Sequence, residues 1–89
     1  MNNILAYYYS LHPDEIIHKK NNYFFNYLDS EYVFMLFERP LSDADSLYQI
    51  NKQMIKQNLL VHEIKLNNEN RILTYINNVP YVLMEIFVN

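Results

Sequence analysis

Three histidines, His12, His18 and His62, stand near the acids Asp14, Glu15 and Glu63, and no other group of side chains in the chain could assemble a metal site or an acid–base pair. Their spacing argues against both. A helical zinc motif needs two histidines one turn apart, whereas His12 and His18 are separated by Pro13 and a further strand-like segment. His62 and Glu63 would point to opposite faces of a strand. Solvated or turn histidines are therefore expected, with no metal and no cofactor. No serine lies in a nucleophile elbow, which needs glycines, and Ser42 reads as a helix cap. Glu31, Glu38, Glu63 and Glu85 are strand acids. Inside YVLMEIF a buried Glu85 would need a cationic partner or a raised pKa, and a salt-bridged or edge-facing carboxylate is the expectation.

Composition removes further classes. The 89 residues hold no glycine, so neither a phosphate-cradling loop nor a dinucleotide fingerprint can be written, and no cysteine, so there is no thiolate ligand, Cys nucleophile or disulfide. A net charge of −3, with seven scattered Lys and Arg, supplies no field for a phosphate backbone, and nucleic-acid binding is not expected. No apolar run approaches the roughly 20 residues that span a bilayer, and no positive n-region precedes the first apolar residues; a cytoplasmic protein that binds no membrane is expected. The 51% hydrophobic content is enough for one core, and a single domain over 1–89 follows. The abundance of Asn, Ile, Tyr and Lys suggests an AT-rich genome. Nine tyrosines without interleaved basic residues read as core and interface anchors rather than base-stacking platforms.

The elements that would position these side chains centre on RILTYINNVPYVLMEIFV, a β-hairpin of Arg71–Ile76 and Pro80–Val88 around Asn77-Asn78, apolar enough for the middle of a sheet. Pro80, lacking an N–H, should open its strand. Before it, Asn2 or Asn3 caps a short helix that His12-Pro13 ends. Strands are expected at Asp14–Lys20, Tyr23–Leu28 and Glu31–Glu38, with turns at Asn21-Asn22 and Asp29-Ser30. The third strand, EYVFMLFE, is apolar on both faces and belongs at the centre. Ser42 begins a capping box for a helix over Asp43 to Gln57 that Asn58 stops in a left-handed conformation. Its Leu47, Ile50 and Met54 form one stripe, and truncating Leu47 or Met54 should cost about 2–5 kcal/mol if that stripe packs on the sheet. A strand at Val61–Leu66 and the turn Asn67–Asn70 return to the hairpin. Asparagine replaces glycine at the turns because it tolerates positive φ. The expected fold is α+β: a twisted, mostly antiparallel sheet of five to six strands, with a short N-terminal helix and one main helix between strands 3 and 4.

This order of elements resembles the N-terminal lobe of the protein-kinase-like fold, in particular the aminoglycoside phosphotransferase, choline kinase and bacterial spore-coat kinase-like group. EIIHKKNNYFFNYLDSEYVFMLFERP is similar to that lobe's first three strands, SDADSLYQINKQMIKQNLLVHEI to its helix and following segment, and NNENRILTYINNVPYVLMEIFVN to its last hairpin running into the hinge. The resemblance would place backbone contacts to a nucleotide at Met84, Glu85, Ile86 and Phe87. The departures are as informative. Lys19-Lys20-Asn21-Asn22 replaces the Gly-rich loop, Met35, Leu36 or Phe37 stands where the phosphate-holding lysine belongs, and Ser42–Asn58 contains no glutamate to face such a lysine. The resemblance therefore implies a degenerate lobe without catalysis: an interaction or structural module, not an enzyme, that binds a protein partner or forms a homo-oligomer, a dimer being the simplest closure. The rival expectations are the front of a longer small-molecule phosphotransferase and an unrelated α+β regulatory or antitoxin-like protein.

Overall fold

A computed structural model describes residues 1–59 and 61–86. Phe87, Val88 and Asn89, and with them the expected end of the hairpin and the Phe87 contact, lie outside the described residues. The order is α1 (Asn2–Tyr9), β1 (Ile16–Lys19), β2 (Asn22–Tyr27), β3 (Ser30–Leu36), a 3-10 turn (Leu41–Asp43), α2 (Ala44–Lys56), β4 (Glu63–Lys65), β5 (Leu73–Ile76) and β6 (Val79–Ile86). The six strands form one antiparallel sheet in the order β1-β2-β3-β6-β4, with β5 also pairing β6. This is the expected α+β class. The hairpin strand β6 is central: β3 flanks residues 81–86 on one side, while β5 and then β4 share its other side.

Several boundaries differ from expectation, each for a local reason. The first two hairpin turns fall one residue earlier, at Lys20-Asn21 and Leu28-Asp29, and the register pairs Lys19 with Asn22 and Tyr27 with Ser30. Cross-strand packing of Phe25 on Tyr32 and Tyr23 on Phe34 fixes the β2–β3 register, because a one-residue slip would exchange the two faces, and this sets the second turn at Leu28-Asp29. Leu28 consequently takes φ 48°, a left-handed leucine that costs on the order of 1 kcal/mol. The expectation for asparagine holds at Asn58, Asn70, Asn77 and Asn78, all at positive φ. β6 begins at Val79 rather than Pro80; Pro80 keeps its carbonyl in use, accepting from the Phe37 N–H. Ser42 caps nothing by side chain. The 3-10 turn occupies that place, and Asp43 precedes α2 without a capping bond. No side chain caps α1 either, where Met1 rather than Asn2 or Asn3 is the cap residue.

The two faces of the sheet are covered unequally. On one, α1 lays Leu5 against Phe25, Phe34 and Leu83, with Leu11 joining the cluster. Phe34 is fully buried, stacked on Tyr81 with ring centroids 5.1 Å apart and edge-on to Tyr9 at 5.8 Å. Val33, its neighbour, is buried on the opposite face, so β3 is indeed apolar and covered on both sides. α1 ends as a Schellman turn: Ser10 takes φ 56°, its N–H reaches the Ala6 carbonyl, and the Leu11 N–H reaches Leu5. Two further carbonyls at that end are capped from far along the chain. The Asn68 N–H donates to Tyr8 at 2.8 Å and its Nδ2 to Tyr7 at 2.7 Å.

Tyr9 carries a hydrogen bond from α1 into the sheet, 2.7 Å between its Oη and Thr74 Oγ1. Burial pushes its pKa up to about 12, and the Thr74 hydrogen bond only partly offsets that effect. A hydroxyl that ionises near 10 when unfolded and near 12 when folded contributes stability below pH 10 and loses it as the pH climbs to 12. Stability should fall by about 2 kcal/mol across that window. Denaturant titrations at pH 9.5 and 11.5 check this, with a smaller fall expected in Tyr9→Phe; equal falls would remove Tyr9 as the cause.

On the opposite face α2 fits loosely. Ala44 is its only described residue that is fully buried; Leu47 and Met54 are half-buried and Ile50 is 57% exposed. The stripe faces the sheet as expected but is not sealed against it. Leu47→Ala and Met54→Ala should therefore cost about 1 kcal/mol each, below the 2–5 kcal/mol of a sealed site. Urea midpoints of the two variants measure this directly.

Candidate functional site

The space α2 leaves open is a cleft of about 530 Å³. Leu47, Ile50 and Met54 form its helical wall, and Met35, Val82, Met84 and Ile64 its floor on β3, β6 and β4. The floor follows from register: Val33, Met84 and Ile64 are paired in turn across β3, β6 and β4, and the same row continues through Phe24 and Ile17 on β2 and β1. One apolar row thus crosses five strands, and α2 stands over only its β4 end. Ile17 is 50% exposed at the other.

Asn51 holds the cleft's back wall. Its Nδ2 donates to the His62 carbonyl and its Oδ1 accepts from the Ile64 N–H at 3.0 Å, so one amide ties α2 to the start of β4. An asparagine in mid-helix gives no sequence signal for this, because its partners are backbone groups on a segment eleven to thirteen residues away.

The residues with catalytic potential are scattered. His18 stacks on Tyr23 at 4.1 Å between ring centroids, His12 meets the edge of Tyr27 at 6.2 Å, and His62 serves through its carbonyl. Among the described residues no three His, Asp or Glu side chains converge as a metal site would require. Glu85 lies on the α1 face, not in the cleft. Ser30 Oγ donates to its Oε2 at 3.0 Å and Lys65 Nζ lies 3.7 Å from its Oε1, the salt-bridged arrangement expected of it. Lys65 lies at the same distance from Glu63. Of the hinge-like residues, Met84 lines the cleft, and Ile86 shares its face at the end of β6. Met84 and Glu85 have a paired strand on either side, so their peptide groups belong to the sheet.

No protein-family model matches the chain, and no curated protein or solved structure matches it significantly. Function must therefore be argued from the cleft itself. Its floor and helical wall are apolar and can desolvate aliphatic or aromatic side chains, with Glu38, Arg39 and His62 also among its lining. Among the described residues no helix is long and apolar enough to cross a membrane.

Proposed function

We propose that the chain is a non-catalytic interaction module, whose α2 cleft receives apolar side chains of a protein partner. The observation that carries this is the half-open cleft, with Leu47, Ile50 and Met54 facing Met35, Val82 and Met84 across about 530 Å³. Small gaps in a protein interior are normally closed by side-chain packing, and an apolar cleft left open on a folded domain marks a place where another surface docks. A few inserted aromatic or aliphatic anchors would supply most of the binding energy.

The resemblance to a kinase N-terminal lobe supports the non-catalytic part of this reading. Three antiparallel strands, a helix and further strands follow one another in the order on which that resemblance rests. Met35, Leu36 and Phe37, the positions at which the resemblance would put the phosphate-holding lysine, line the cleft. The β1–β2 connection is a two-residue turn, too short to cover nucleotide phosphates. The same topology favours, as a second reading, descent from a phosphotransferase that still binds nucleotide.

Two measurements separate the readings. Binding of a hydrophobic fluorescent dye should be strong in the native protein and fall several-fold in Ile50→Lys, whose far-ultraviolet circular dichroism and melting temperature stay close to wild type because Ile50 lies at the cleft's mouth. Absence of dye binding by the wild type would count against the docking role. Millimolar ATP with magnesium should leave the melting temperature unmoved; a rise would turn the assignment to the phosphotransferase reading.

A further inference from the structure

We infer that β1 is a homotypic docking edge, along which a second copy of this chain adds antiparallel to continue the sheet. The edge lies at the end of the sheet away from α2, and this inference does not rest on the cleft. β1 pairs only with β2 among the described residues, leaving its outer edge open. Ile17, His18 and Lys19 are exposed, as are the flanking Asp14, Glu15 and Lys20. Proteins normally blunt such an edge with charged side chains, lysine above all, with proline or with a bulge. Here both signs are present, at opposite ends: Asp14 and Glu15 before the strand, Lys19 and Lys20 at its finish.

The segment is therefore complementary to itself. Antiparallel pairing about a two-fold axis at Ile17 sets Glu15 opposite the partner's Lys19 and brings Asp14 to the partner's Lys20, with the same contacts repeated across the axis. Hydrogen-bond phase agrees with this register. Lys19 and Asn22 close a two-residue turn and so form a hydrogen-bonded pair; alternation then turns the Ile17 peptide groups toward β2 and those of Ile16 and His18 outward. Under the proposed axis Ile16 meets the partner's His18, and each such pair exchanges both its hydrogen bonds. Ile17 meets its own copy as a non-bonded pair, the closer kind, which covers one of the exposed aliphatic side chains of the sheet. Shifting the axis by one pair in either direction sets Ile17 against a charged residue, Glu15 or Lys19, and undoes the charge matching. The ion pairs are exposed and set register and partner choice more than affinity.

Charge reversal in halves tests this. Sedimentation equilibrium of the wild type at rising concentration should show a species of twice 10.9 kDa. Asp14→Lys/Glu15→Lys and Lys19→Glu/Lys20→Glu, each alone, place like charges opposite one another and should weaken self-association by about tenfold or more. Mixed one to one, the two variants regain all the opposite-sign pairs and should associate as tightly as the wild type, an outcome that misfolded chains could not produce. In the associated state the Ile16 and His18 amides should gain protection from hydrogen exchange while that of Ile17, already bonded to β2, changes little. A wild type that stays monomeric at millimolar concentration overturns the inference. So does a dimer that both half-reversals leave intact, or a mixture that fails to recover association. Ile50→Lys, on the cleft, should leave this equilibrium unchanged, so the two surfaces are read separately.

Discussion

Phe34→Ala is expected to cost about 3–5 kcal/mol, a large share of the roughly 5–15 kcal/mol that holds a domain of this size together. Phe34 is fully buried at the crossing of every important contact on the α1 face. It pairs with Tyr23 on β2 and Leu83 on β6, stacks on Tyr81 and meets Tyr9 of α1 edge-on. Its neighbours are strands locked in register on both sides, so the sheet cannot collapse into the space an alanine leaves, and the cavity term adds in full to the lost burial. Urea unfolding followed by circular dichroism measures the loss. A cost below about 1.5 kcal/mol would show that the centre of the core lies elsewhere.

Asn67→Ala is expected to cost about 3 kcal/mol, although the change removes little apolar surface. Asn67 is 4% exposed, and its amide organises a loop and a strand together. Its Oδ1 accepts from the N–H groups of Glu69 and Arg71 at 2.9 and 3.1 Å; its Nδ2 donates to Thr74 Oγ1 at 3.0 Å and to the Leu73 carbonyl at 3.3 Å. Alanine would free all these partners at once, and those inside the fold would lose a bond without gaining water. The loss travels further, because the same loop presents Asn68 to the carbonyls at the end of α1. Faster hydrogen exchange in α1, at the other end of the sequence, is the accompanying sign. A variant that loses stability with α1 exchange unchanged would show that the loop and the helix are not coupled.

These two sites lie on the face that α1 closes, whereas the cleft lies on the face that α2 leaves partly open. Stability thus rests on one face of the sheet, and the docking proposed above would use the other. Changes at Leu47, Ile50 or Met54 can alter binding with little loss of fold. Changes at Phe34 or Asn67 should instead cost stability.

Hydrophobic periodicity and turn residues located both helices and the six strands, though not the 3-10 turn, because a strand apolar on both faces, such as EYVFMLFE, has few places to go but the interior. They located the ends less well. Where two strands pair, the ladder sets the register, and Lys20 and Leu28 took turn positions expected of Asn22 and Ser30. The cleft was half legible. The stripe Leu47, Ile50 and Met54 is visible at helical spacing, but its depth is not, since how closely a helix approaches a sheet depends on the bulk of the residues between them. Ser42 looked like a cap, Asn67 like a turn residue, and Asn51 gave no signal. The first forms no capping bond, while the other two carry the tertiary hydrogen bonds.

By itself the sequence determined the α+β class, the central place of the β6 hairpin and the absence of glycine-dependent phosphate chemistry, because these depend on residue type and short-range period alone. The tertiary structure decided that α2 stands off the sheet, that Asn67 is buried under four hydrogen bonds and that β1 is left as an open edge with opposite charges at its two ends. Each of those depends on which distant segments become neighbours, and that is settled only when the whole chain competes for the same two faces of one sheet.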